Sequence, residues 1–114
     1  MTIAIEPVAG VVVVRAGGAV LGETRNALAL HENGRPPVYY IPRSDFVAAF
    51  LEPSETVTTC PLKGEARHYH LAVKSGMIRD AAWSYEAPKD GVAAIAGHLA
   101  FYPDKVTVER LGGR

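Results

Sequence analysis

The chain has one cysteine in 114 residues, so no internal disulfide can form. A lone thiol fits a reducing compartment such as the cytosol. Neither sign of charge is in excess: twelve basic and twelve acidic residues give a formal net charge of zero. A duplex-binding domain carries a basic surplus for phosphates, so nucleic acid is not an expected partner. Long apolar runs are also missing. The longest falls far short of the ~18 residues of a membrane span. Met1 to Pro7 shows neither a basic region ahead of an apolar run nor a cleavage pattern. The expectation is a soluble cytoplasmic protein with no membrane partner. No phosphate-cradling glycine loop, paired-carboxylate pattern or serine elbow is present. A closed zinc site usually needs four ligands, often in Cys-x-x-Cys pairs. One cysteine and four histidines (His31, His68, His70, His98) do not supply such a pattern, so neither a metal nor another cofactor is expected.

What is present is punctuation. Eleven glycines and eight prolines are spread from end to end, with short apolar segments between them. This predicts one mainly β domain over residues 1–114, with its core at about 11–111, eight or nine short antiparallel strands and two short helices. The first strand is Val11 to Arg15, turned by Gly17-Gly18 into Ala19 to Glu23. Ala27 to Glu32 and Val38 to Ile41 flank the hairpin signal Asn33-Gly34. Ser44 reads as the cap of a helix whose apolar face is Phe46, Val47, Phe50 and Leu51, closed by Pro53. Strands follow at Glu55 to Cys60, Ala66 to Lys74 and Met77 to Tyr85. Asp90 to Ala96 reads as the second helix, with Gly97 as its cap. Leu99 to Tyr102 and Val106 to Leu111 read as a closing hairpin, and Gly112-Gly113-Arg114 as a frayed tail.

Side chains on a strand alternate faces. Tyr69, Leu71 and Val73 therefore share a core face, and Ala66, His68, His70 and Ala72 share the other. Cys60 shares a face with Thr58 and Thr56. If its strand pairs through the Lys63-Gly64 turn, Cys60 comes near His68 or His70, a thiol–imidazole arrangement with Lys63 favouring the thiolate. The plainer reading is a cysteine packed as a small hydrophobe at a strand corner, with half-exposed histidines. Arg43 and Asp45 lie just past a strand end and could hold an anion at a helix start; a capped helix with a local Arg43–Asp45 contact is the plainer reading. Trp83 and Tyr85 fall on one face and could wall a pocket, or simply be core.

Several stretches occur in a specific order: Tyr40-Ile41-Pro42-Arg43 with Asp45; Thr59-Cys60-Pro61 with Lys63-Gly64, Ala66 and Tyr69; Ala82-Trp83-Ser84-Tyr85 with Pro88; Ile95-Ala96-Gly97 with Ala100-Phe101-Tyr102. Together they resemble the family called domain of unknown function 427 (DUF 427), from about Val11 to Leu111. The resemblance implies an antiparallel β-tent fold, grouped with zinc-containing relatives such as methionine sulfoxide reductase B. Those relatives hold zinc with two cysteine pairs, both missing here. A nucleotidyltransferase label has been attached to the family, but no phosphate loop or metal-binding carboxylate pair supports it in this chain. The family pattern concentrates on Arg43, Asp45, Cys60, Lys63, Trp83 and Tyr85, which converge on one pocket or serve as corners of the fold.

The expected function is binding of a small polar or anionic ligand. Arg43, Lys63 and His68 would supply positive charge, Trp83 and Tyr85 the wall, and Asp45 a further contact. The alternatives are a non-catalytic protein-interaction module and a thiol enzyme with Cys60 as its catalytic residue. Free sheet edges leave homodimer formation open.

Overall fold

The structure, a computed structural model, describes residues 2–112; of the tail expected at Gly112-Gly113-Arg114, the last two residues lie outside them. Among the described residues ten strands form three antiparallel sheets. The first has order β1 (Ile3–Pro7), β4 (Leu28–Glu32), β5 (Val38–Tyr40). The second has order β10 (Thr107–Leu111), β2 (Val11–Ala16), β3 (Ala19–Thr24). The third runs β6 (Leu51–Cys60), β7 (Gly64–Val73), β8 (Gly76–Ser84), β9 (Ala100–Phe101). The mainly β, antiparallel expectation holds. Among the described residues no helix is long and apolar enough to cross a membrane.

Both turn signals form as read. Asn33 and Gly34 take positive φ, 38° and 73°, and Arg35 N–H closes the turn on Glu32 C=O at 2.9 Å. Strand β1 was not expected. It pairs with β4 from Ile3 opposite Glu32 to Pro7 opposite Leu28, and Ile3 and Ile5 turn their side chains onto the core. Pro7 is tolerated because it ends an edge strand.

The helix expected over Phe46 to Leu51 does not form. Two single 3-10 turns, Arg43–Asp45 and Ala48–Phe50, flank extended backbone at Phe46 and Val47. Phe46 bridges to Gly22 and stacks on Phe101 with centroids 5.5 Å apart. A Cβ on Gly22 would lie 2.9 Å from Asp45 C=O, so the close approach requires glycine. Burial of Phe46 overrides the local helical spacing. Ser44 caps nothing, and Pro53 lies inside β6 at a bulge rather than ending a helix. The second expected helix is a kinked 3-10 stretch, Asp90–Ile95. The closing hairpin is also corrected: β9 pairs with β8, whereas β10 pairs with β2 in another sheet.

The apolar interior divides in two. One cluster joins Val12, Val14 and Leu21 of the second sheet to Leu71, Ala82 and Phe101 of the third. The other joins Leu30 and Tyr40 of the first sheet to Ala66, Tyr85 and Ala100 of the third side. The third sheet is therefore covered by both of its neighbours, and the second cluster borders the site.

Candidate functional site

A cavity of about 300 Å³ opens beside the second cluster. Its walls come from separate pieces of chain. Strand β4 ends at Glu32, and the following turn carries Arg35. Strand β5 supplies Tyr40, the β6–β7 turn Lys63, β7 His68 and β8 Trp83. Tyr85 and Tyr102, just past β8 and β9, complete it. Alternation explains the set. Trp83 pairs with His68 and Thr58 with Ala66 across the third sheet, so these side chains face one way.

Lys63 reaches its place through the turn Pro61–Lys63, closed by Lys63 N–H on Cys60 C=O at 3.3 Å. Gly64 follows at φ +112°, a conformation L side chains rarely adopt, and so returns the chain into β7. Lys63 Nζ donates to Glu32 Oε1 at 2.8 Å, with the two side chains only 11% and 18% exposed. That bond holds the Glu32 carboxyl below its ordinary range, against the upward push of burial.

The aromatic groups interlock. Trp83 Nε1–H donates to Tyr40 Oη at 3.3 Å, and the two rings meet edge to face. Trp83 and Tyr102 have centroids 4.6 Å apart. His68, almost fully buried, lies near-parallel to Tyr102, with Nε2 and the phenol oxygen 2.9 Å apart. Its Nδ1 is buried without a partner among the described residues. Burial pushes the Tyr85 hydroxyl up to about 12, helped by the nearby Cys60, Tyr102 and Glu32. Burial raises Tyr40 further and Tyr102 in the same direction. All three hydroxyls keep their protons at neutral pH.

Of the expected site residues, Lys63, His68, Trp83 and Tyr85 come together on this cavity. Arg43 and Asp45 do not line it. Arg43 pairs with Glu86 at 2.7 Å and lies 5.1 Å from the Tyr69 ring centroid. Asp45 accepts from Thr24 Oγ1 at 2.6 Å, in place of the local contact with Arg43. Cys60 shares the face of Thr58, as read, and the hairpin forms. Its partner, however, is Gly64, four residues before His68. At ~3.3 Å per residue that separates the two by roughly 13 Å along β7, so the expected thiol–imidazole neighbour is absent. Cys60 packs half-buried against the second cluster. His68 is buried rather than half-exposed, and His70 faces a bulge, accepting the Asp80 N–H on Nδ1 at 2.9 Å.

A family model described as a domain of unknown function (DUF427) matches residues 4–112. The chain belongs to the DUF427 family. No curated protein matches it. The DUF427 match begins within β1, so it includes the strand that frames the Leu30–Glu32 wall. Glu32, Arg35, Tyr40 and Tyr102 also border the cavity of this DUF427 chain but were not selected from sequence. Only the Asn33-Gly34 turn hinted at two of them, by folding Glu32 and Arg35 to one end of a hairpin. Among the described residues no three His, Cys, Asp or Glu side chains gather as a metal site would need.

Proposed function

We propose that this chain is a binding domain for a small polar or anionic ligand seated in the cavity between the first and third sheets. One observation carries the reading. A part-buried Lys63–Glu32 pair, a buried histidine and four aromatic rings, brought from distant parts of the chain, border a single cavity of about 300 Å³. Small-molecule sites join apolar walls to a few placed polar groups and start at about this volume. An apolar cavity of about 150 Å³ accepts benzene, so this one suits one ring with a polar substituent. The single cysteine supports a reducing, cytoplasmic setting. The thiol-enzyme alternative lacks a histidine beside Cys60.

Trp83 is the only tryptophan, so its indole N–H gives one resolved NMR signal inside the site. Screening one-ring acids, bases and neutral compounds by ¹H–¹⁵N spectra should move that signal together with those of Gly64 to His68. An adjoining apolar groove shares Trp83 and adds Pro37, Tyr39, Phe101 and Val108. Shifts of Trp83 together with those residues, and without Gly64 to His68, would favour the protein-interaction reading. No change at Trp83 with any compound would end the cavity reading.

A further inference from the structure

We infer that the cavity takes the oxyanion of a one-ring acid, a carboxylate or a phosphate monoester, held by the Tyr85 hydroxyl and the Lys63 ammonium. This rests on the binding reading above and narrows it to a ligand class.

The ground is an inventory of donors and acceptors. Tyr85 is only 6% exposed and lines the cavity, yet its hydroxyl has no hydrogen-bond partner among the described residues. Tyr40 is 1% exposed; its oxygen accepts from Trp83, and its own hydrogen finds no acceptor there. Lys63 has three N–H donors and gives one to Glu32. Arg35, exposed on the turn at the same cavity, makes no side-chain hydrogen bond among the described residues, and its charge acts on Glu32. His68 Nδ1 is also unpartnered and gives or accepts according to tautomer; beside it the two tyrosine hydroxyls, two Lys63 N–H groups and the Arg35 guanidinium are donors. Glu32 is the opposing group, but one of its oxygens already serves Lys63, and the lining carries two cations, Arg35 and Lys63, against this one carboxylate.

These donors face the cavity without a further protein acceptor, and a ligand bringing acceptor oxygens pairs them. A cationic guest would meet Lys63 and Arg35 and leave both tyrosine hydrogens unpaired. The aromatic walls alone would suit such a guest through cation–π contact, but the fixed charges oppose it. Burial keeps Tyr85 and Tyr40 protonated, so both remain donors across the physiological range. The edge-to-face pair of Tyr40 and Trp83 offers the ligand ring an apolar wall.

Four probes of nearly one shape test this: benzoate, phenyl phosphate, benzamide and benzylamine, titrated against the full chain and read by Trp83 emission and its indole N–H signal. Benzoate or phenyl phosphate should bind at least about tenfold tighter than benzamide, with benzylamine weakest, since hydrogen bonds to charged groups are the stronger ones. The preferred acid separates a carboxylate from a phosphate ligand. Tyr85→Phe keeps the ring and should weaken the preferred acid about tenfold while changing benzamide less than about threefold. Arg35→Gln, on an exposed turn, should weaken the acid and reduce its salt dependence. Equal binding of benzamide or benzylamine, or an unchanged acid affinity in Tyr85→Phe, overturns the oxyanion assignment while leaving the cavity reading in place. Failure of all four probes to perturb Trp83 overturns both.

Discussion

The two faces of β7 meet different surroundings. On one, Leu71 and Val73 enter a cluster of aliphatic side chains and phenylalanines with the second sheet. On the other, Ala66 and His68 meet tyrosines, the sole tryptophan and a part-buried ion pair beneath the first sheet. Both are buried, so depth does not distinguish them. Hydrogen-bonding capacity does. The first face asks nothing of its neighbours except fit, whereas the second holds hydroxyl and ammonium donors that the protein itself does not use up. Such a surface makes a poor core and a good binding site.

The largest effect should separate the two faces directly. Leu71 is fully buried, and Leu71→Ala should cost about 3 kcal/mol through lost transfer energy and a residual cavity. Tyr85→Phe, at similar depth on the other side, should cost less than about 1 kcal/mol, because the hydroxyl removed has no partner among the described residues. Urea denaturation of both variants checks this. A Tyr85→Phe loss as large as that of Leu71→Ala would mean the cavity face is core.

Next in size is the ion pair. Lys63→Met leaves the Glu32 carboxylate in a largely buried place without its cation and should cost about 2 kcal/mol at pH 7, below the usual 3–5 because water still reaches the pair. The folded-state pKa of Glu32 is depressed, so its contribution is present above the unfolded pKa, near 4.3, and is lost as pH falls through the folded value. Wild type and Lys63→Met should therefore converge as pH falls from the unfolded value through the lower folded one. A gap independent of pH would show that Lys63 contributes through packing of its stem alone.

The strand order was largely legible, because β-branched runs and turn residues act locally. Alternation placed Tyr69, Leu71 and Val73 on one face and Trp83 and Tyr85 on another, and the burial follows it. Errors arose where distant partners decide. Phe46 is extended because Gly22 and Phe101 lie against it, and neither is near it in sequence. Residues 99–111 read as a hairpin because pattern shows strands but not which sheet they join. Half the cavity was likewise hidden: Glu32 meets Lys63 across 31 positions and Trp83 meets Tyr40 across 43. Arg43 and Asp45 looked functional by their place at an expected helix start and in the family pattern, but that helix does not form and Glu86, Tyr69 and Thr24 engage them.

A smaller effect sits at the junction of the two faces. Three residues of β8, Arg79 to Ala81, bulge opposite His70, with Asp80 at φ +46°. This lets Trp83 sit over His68 while Ile78 pairs with Leu71. Asp80 is held there by hydroxyls of Ser54 and Thr56, which with His70 depress its carboxyl pKa. Asp80→Ala loses those bonds and the tolerance for positive φ, and should cost about 1 kcal/mol given that the carboxylate is about a third exposed. Asp80→Asn keeps the backbone tolerance and should cost less. Thermal melts rank the two, and the reverse order would mean that charge, not conformation, holds the bulge.

The smallest effect belongs to Cys60, which shares the cavity-side face but borders the cluster rather than the cavity. Its strand partner is a glycine, and His68 lies four residues further along β7. A nucleophilic thiol needs a base or a cation placed beside its sulfur. Lys63, three residues on, directs its ammonium to Glu32 instead. Cys60→Ala should therefore cost less than about 1 kcal/mol, as removal of a half-buried small side chain does, and should leave probe binding at Trp83 unchanged. Iodoacetamide should alkylate Cys60 no faster than a free model thiol, read by mass shift over time. A rate well above that would place an activating group at the sulfur and bring the corner back into the site; a slow rate leaves Cys-Pro-Leu-Lys-Gly as the turn whose work is to deliver Lys63.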